Sequence, residues 1–186
     1  EYRRQRQMCI RDRYVSNSVL PDLYLKLQEL SMARPLSGLL TDMVCCPGGD
    51  FCSLANARSI TVAEDINRRY KSLDKLESLG NIDLRISGCM NSCGHHHIGN
   101  IGILGVDKDG KAFYQLLLGG NSGEKGKASL GKIIAKAFAE DEISDAVENI
   151  LQHYLIKRDK NETFRNTVAR LGNASFAEAA NKARKS

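Results

Sequence analysis

The sequence predicts an α+β fold, because apolar stripes at helical spacing and short strand runs around turn signals both occur in it. The helical signal is clearest in Ile143, Ala146, Val147, Ile150, Leu151, Tyr154 and Leu155, which share one face. The strand signal is clearest in Ile101–Val106 and Ala112–Leu118, which flank Asp107-Lys108-Asp109-Gly110, a hairpin turn whose glycine accepts a positive φ.

The remaining elements follow in order. Tyr14 to Val19 reads as a strand, and Asp22 to Leu30 as a helix from its apolar spacing. Leu54 to Tyr70 reads as a helix with Leu54, Ala57, Val62 and Ile66 inward, and Ile82 to Ile86 as a short strand. Asn121 to Lys127 is a polar, Gly-rich loop. Glu162 to Leu171 forms a further helix stopped by Gly172, and the last dozen residues, rich in Ala, Lys and Arg, are expected to fray.

Four cysteines in two pairs dominate the chemistry. Cys46-Pro-Gly-Gly-Asp-Phe-Cys52 and Cys89-Met-Asn-Ser-Cys93 have the spacings of a cluster-binding site. In the first pair, Pro47, Gly48 and Gly49 predict a loop in which backbone N–H groups approach sulfur. Cys52 stands where the predicted helix opens, so its thiolate would face the positive end of the helix dipole. Gly88 and Gly94 bracket the second pair and favour a tight turn there. Four thiolates from two loops suit one cubane. A zinc site is the rival, since Cys-x3-Cys with nearby histidines is also zinc-like, but zinc favours tight pairs over a five-residue gap.

These segments resemble a known family. Cys46-Pro47-Gly48 through Cys52-Ser53-Leu54-Ala55, followed by Ile86-Ser87-Gly88-Cys89 through Cys93-Gly94-His95-His96-His97 and Ile101-Gly102, is similar to the sirohaem and [4Fe–4S] domain of assimilatory nitrite and sulfite reductases, closest in wording to proteobacterial sulfite reductase haemoprotein subunits. The resemblance covers roughly residues 14 to 171. It implies that Cys46, Cys52, Cys89 and Cys93 hold the [4Fe–4S] cluster, and that Cys93 also bridges to the sirohaem iron. It further implies a six-electron reduction of sulfite to sulfide, or of nitrite to ammonia, fed by ferredoxin or an NADPH-dependent flavoprotein subunit. Asn91 would hydrogen bond near the cluster, the Leu118-Gly119-Gly120 turn would lie near the sirohaem, and Arg58 and Arg85 are the local cations for the cofactor's acidic rim. A surface-charge role is as good a reading of each arginine.

The resemblance also sets expected boundaries: 14–36 a remnant of a ferredoxin-like half-domain, 37–158 the sirohaem and [4Fe–4S] domain, and 159–186 a C-terminal helix and tail. Complete enzymes of the family have two related halves, and the first supplies most of the basic residues that contact sirohaem and substrate. The catalytic residues are therefore expected in a missing N-terminal half, the chain to be a C-terminal fragment, and the fragment alone to be inactive.

Composition narrows the alternatives. The chain has 186 residues, 42% of them hydrophobic, and a net charge of +5. Residues 1–13 carry five arginines against Glu1 and Asp12, a net of +3, without amphipathic period. They read as a non-native assembly scar in preference to a nucleic-acid arm or transit peptide, and Cys9 within them has no assigned role. With no apolar run long enough for a bilayer and no secretory segment, the expectation is a soluble cytoplasmic protein bound to neither membrane nor nucleic acid. Six cysteines in such a chain argue for ligation over disulfides. The Gly119-Gly120-Gly123 run lacks the Lys-Ser/Thr of a phosphate loop.

Three features have plainer readings beside the functional ones. Adjacent His95, His96 and His97 cannot all face one centre, so one packed ring and two solvated or hydrogen-bonded rings are expected. Asn91 could be an ordinary turn residue, and Cys45 is expected to pack. The alternative to a reductase is a non-catalytic domain that carries a cubane or zinc without haem.

Overall fold

The computed structural model describes residues 15–30, 32–33, 37–123 and 127–185. The predicted scar 1–13 with its Cys9, Tyr14, and residues 124–126 of the polar loop lie outside them. The chain divides into two compact units, 1–35 and 36–186.

In the first unit Ser16 Oγ accepts the Ser18 N–H, and Asn17–Val19 form a 3-10 turn, so the expected strand is absent there. Short polar side chains that bond their own backbone draw a segment away from extended structure. Helix α1 follows at Leu20–Glu29, with Pro21 in its first turn, where a missing N–H does no harm.

The second unit is built on one five-stranded mixed sheet in the order β1-β2-β3-β4-β5. The strands are β1 (Val44–Cys45), β2 (Leu84–Ser87), β3 (Ile101–Lys108), β4 (Lys111–Leu118) and β5 (Lys132–Ile133). β1, β2 and β3 run parallel, with Cys45 opposite Ile86 and Ile86 opposite Ile103; β4 and β5 are antiparallel to their neighbours. The β3–β4 hairpin turns at Asp109 and Gly110, φ 55° and 75°, the left-handed pair a tight two-residue turn requires.

Between β1 and β2 lie α2 (Gly48–Phe51), α3 (Ile60–Arg69) and α4 (Leu73–Leu79). The predicted Leu54–Tyr70 helix thus begins only at Ile60. The amides of Asn56 and Ala57 both donate to Gly88 O, at 2.9 and 3.0 Å, which ties this stretch to the second cysteine loop in place of a helix. Leu54 is accordingly 72% exposed, against expectation, while Ala57, Val62 and Ile66 are buried as predicted.

The C-terminal part contributes α5 (Glu140–Lys157), α6 (Phe164–Leu171) and α7 (Asn173–Asn181). All the predicted stripe residues of α5 are fully buried except Leu155, which packs at the core's edge. The tail does not fray: α7 buries Phe176, Ala179 and Ala180, and Phe176 meets Phe164 edge to face at 5.9 Å. Its alanine-rich composition resembled a solvated end, yet small side chains are what let α7 lie close to the core.

Candidate metal centre

β1 and β2 are adjacent and parallel, so the loops that leave their C-terminal ends emerge at one edge of the sheet, where open α/β sheets characteristically form their sites. One loop carries Cys46 and Cys52, the other Cys89 and Cys93. The Cys46 amide donates to Ile86 O at 3.1 Å, and the Gly88 amide donates to Cys46 Sγ at 3.1 Å. One cysteine loop thus already offers a backbone donor to a sulfur of the other.

The first loop departs from expectation at two points. Gly48 to Phe51 form a helical turn where a loop was predicted, with Gly48 at φ 56°. Cys52 closes that turn, its amide bonded to Gly48 O at 2.8 Å, and does not open a helix. The dipole benefit predicted for its thiolate is therefore absent. The amides that begin α3 go instead to Asp50: Ser59 and Ile60 donate to Oδ2 at 3.2 and 3.0 Å, and Arg58 Nε donates to Oδ1 at 2.9 Å. Burial opposes the Asp50 charge, but the Arg58 guanidinium and the Ile60 and Ser59 amides outweigh it and hold the carboxyl below the usual carboxylate range. Asp50 carries no local signal in the sequence, because it lies nine residues ahead of Ser59, whose amide it accepts.

The second loop is tight. Ser92 and His95, on either side of Cys93, have φ of 58° and 52°, uncommon for residues with side chains and frequent where a site over-determines the backbone. Gly94 packs onto β2, its amide bonded to Ser87 Oγ at 3.1 Å. Cys89 is buried, while Cys93 and Asn91 are exposed. Of the three histidines His96 is buried, His97 half-buried and His95 exposed, the division expected. Burial, and then neighbouring His97, push the His96 pKa down to about 4, so the ring is neutral near pH 7. Cys45 is half-buried; its thiol is pushed up to about 12 by burial and by nearby Cys46 and Asp50, and donates to Cys46 O at 3.2 Å. It is a packed thiol, poorly suited to ligation.

The donor set, four thiols carried on two adjoining loops, is of the kind an iron–sulfur cluster takes. Cys46, Cys52, Cys89 and Cys93 are all free thiols. Among the described residues no three Cys, His, Asp or Glu side chains converge as ligands of one ion would. Tetrahedral zinc needs thiolates only about 3.8 Å apart, from its Zn–S bond of about 2.3 Å; around a cubane each thiolate binds a different iron and they stand wider. The two cysteine loops pack backbone to backbone, since a Cβ on Gly88 would meet Ala57 O at 2.7 Å and Gly48 Cα at 2.8 Å.

The other candidate residues are placed differently. Arg58 is at the cysteine edge and remains 58% exposed in its side chain despite the Asp50 pair. Arg85 is bound to Asp83 at 2.8 Å and lines a cleft of about 760 Å³ with Asn81, Asn100, Asn121 and Arg165, near the beginnings of β2 and β3. Gly119 and Gly120 follow β4 at that same end, since Leu118 pairs with Ile101 and Ile101 with Leu84. The Gly119 amide donates to Asn100 O at 3.3 Å, and buried Gly120 packs against the backbone of His97 and Ile98. The two glycines therefore stand apart from the cysteine edge and brace the return of the second loop.

Among the described residues no helix is long and apolar enough to cross a membrane. Residues 39–186 match the family described as the nitrite and sulphite reductase 4Fe-4S domain. The ferredoxin–nitrite reductase of Leptolyngbya laminosa is 32% identical over 72% of this chain and 26% of its own length. A ferredoxin-type sulfite reductase of Mycolicibacterium paratuberculosis is 28% identical over 81% of this chain and 28% of its own length. The solved NirA protein of Mycobacterium tuberculosis superposes with a TM-score of 0.68 at 26% identity, over 87% of this chain and 31% of that one. The chain thus spans about a quarter to a third of the length of these relatives. With its family match covering most of its length and its four free thiols on two loops at one sheet edge, the chain belongs to the nitrite and sulphite reductase 4Fe-4S domain family.

Proposed function

We propose that this chain is the C-terminal, cofactor-holding part of an assimilatory sulfite reductase. In this reading Cys46, Cys52, Cys89 and Cys93 would hold the [4Fe–4S] cluster, and Cys93 would also serve to hold a sirohaem. The observation that carries it is the junction of the two cysteine loops, where the Gly88 amide meets Cys46 Sγ at 3.1 Å. The exposure of Cys93 beside buried Cys89 supports Cys93 as the bridging thiolate.

Bound together, the two groups would supply electrons one at a time to a six-electron reduction of sulfite to sulfide. The chain's own part is to orient and insulate. Buried Cys89 and the packed turn at Gly94 limit water at one side of the site, and Arg58 offers a cation for an acidic group at its exposed side. The basic groups that would hold sulfite and deliver protons belong, on this reading, to a preceding half of a longer protein, and this chain alone would be inactive. Nitrite reduction to ammonia is the second reading, favoured by the 32% identity to a ferredoxin–nitrite reductase. Ferredoxin, which the names of both reductases carry, is the proposed electron donor, with an NADPH-linked flavoprotein as the alternative.

The test is an anaerobic visible spectrum with iron and acid-labile sulfide analysis, on the chain produced alongside sirohaem synthesis. Soret and long-wavelength chlorin-type bands together with a full cluster's iron are expected. Zinc, or a cluster without haem, would overturn the reading in favour of a non-catalytic domain. Shifts of the haem bands on adding sulfite or nitrite to the full-length protein would separate the two substrates.

A further inference from the structure

Ser59 is fully buried, yet it carries a hydroxyl that a hydrophobic interior disfavours unless it is bonded. Its backbone is fixed twice: its amide donates to Asp50 Oδ2 at 3.2 Å, and its carbonyl accepts the Ala63 amide at 3.0 Å, in the first turn of α3. Among the described residues the one partner of its hydroxyl is the Cys46 sulfur, at 3.6 Å. Two glycines admit it. A Cβ on Gly48 would lie 2.7 Å from Ser59 Cβ, and one on Gly88 would lie 2.9 Å from Ser59 Oγ. Three separate segments are thus shaped so that this hydroxyl reaches this sulfur.

Between a thiol and a hydroxyl either group can donate. A metal-bound thiolate has no proton, so the direction becomes fixed: Ser59 Oγ–H donates and the sulfur accepts. Together with the Gly88 amide, Cys46 then has two donors, one from the backbone and one from a side chain. Reduction of a cluster adds negative charge that spreads onto its thiolates, and hydrogen bonds to sulfur strengthen with that charge. Such bonds are among the factors that set cluster potentials.

Resting on the cluster reading above, we infer that Ser59 is a positioning residue that raises the cluster's reduction potential by donating a hydrogen bond to Cys46 Sγ. The amide of Gly88 supplies a donor no side-chain change removes, whereas the hydroxyl can be deleted alone.

The test compares wild type, Ser59→Ala and Ser59→Thr, each reconstituted anaerobically with iron and sulfide and titrated potentiometrically with a visible or paramagnetic readout. Ser59→Ala is expected to keep its full iron and to shift to a more negative midpoint, so that less than half is reduced at the wild-type midpoint; Ser59→Thr returns toward wild type. An unchanged midpoint in Ser59→Ala, or equal displacement in both variants, overturns the inference. A second readout is vibrational: Fe–S(Cys) Raman bands should move more on transfer to D2O in wild type than in Ser59→Ala, where the Gly88 amide remains the donor, and equal movement in the two also counts against it. If the wild-type chain takes up no cluster, the cysteine assignment itself fails, an outcome distinct from a loaded cluster that ignores Ser59.

Discussion

Gly88 and Cys46, 42 residues apart, are joined by a hydrogen bond from the Gly88 amide to the Cys46 sulfur. The contact exists because residue 88 has no side chain: a Cβ there would press on Ala57 O and Gly48 Cα within 3 Å. Both obstacles are backbone, which yields less easily than a side chain. Gly88→Ala should therefore separate the loops, with loss of most bound iron and a destabilisation of about 1–3 kcal/mol, as for overpacked interiors. Iron analysis and urea unfolding would measure the two effects.

Cys45 and Cys46 are adjacent but differ in kind. The Cys45 thiol is held protonated by burial and bonds a carbonyl, while Cys46 faces the Gly88 amide. Cys45→Ser should retain the cluster's iron and visible spectrum, whereas Cys46→Ser should lose most of both. Equal losses in the two variants would contradict the distinction.

Asp50 binds the first cysteine loop to the start of α3. Replacing it with Ala should destabilise the chain by about 1 kcal/mol, the usual weight of a helix N-terminal cap. Its pKa is lowered in the folded state, so its ionised form stabilises the fold. That contribution is complete above the ordinary carboxylate value of about 3.9 and is lost as pH falls below it. Unfolding midpoints between pH 5 and 3 should consequently fall less steeply in Asp50→Asn than in wild type.

His96 acts in a different window. The unfolded ring takes a proton near pH 6.5, the folded one only near 4. Stability is unaffected above 6.5, declines as pH falls from there because only the unfolded state binds the proton, and levels off below about 4. His96→Phe should flatten that decline, leaving the smaller effect of His153, whose pKa is also lowered by burial and nearby Lys157 and Lys182. Urea unfolding at pH 7.5, 6 and 5 would resolve it.

The terminal helix is part of the core. Phe176→Ala should cost about 3–5 kcal/mol, the range for large buried aromatics. A change below 1 kcal/mol in chemical denaturation would show instead that α7 is peripheral.

The sequence carried the hairpin, α5 and the cysteine pairs legibly because each has a local cause. Turn chemistry at Asp109-Gly110, a stripe from Ile143 to Leu155, and fixed spacing between ligands can all be read without the fold. What escaped was set by distant residues. The stretch after Cys52 has helical composition, but Gly88 O claims the Asn56 and Ala57 amides. Asp50 and Ser59 look ordinary in sequence, and their roles appear only when α3 is brought against the first loop. The tail around Phe176 was misjudged because its alanines suit both a solvated end and a close helix contact.

β2 and β3 are parallel neighbours linked by thirteen residues, Gly88–Asn100, that include only a 3-10 turn at His96–Ile98. A parallel connection ordinarily needs a dozen residues or more simply to travel back along the strand. The segment that bears Cys89 and Cys93 is therefore close to its minimum length, and that length is as much part of the chemistry as its side chains. A shortened strap would drag the thiols or unzip the strands.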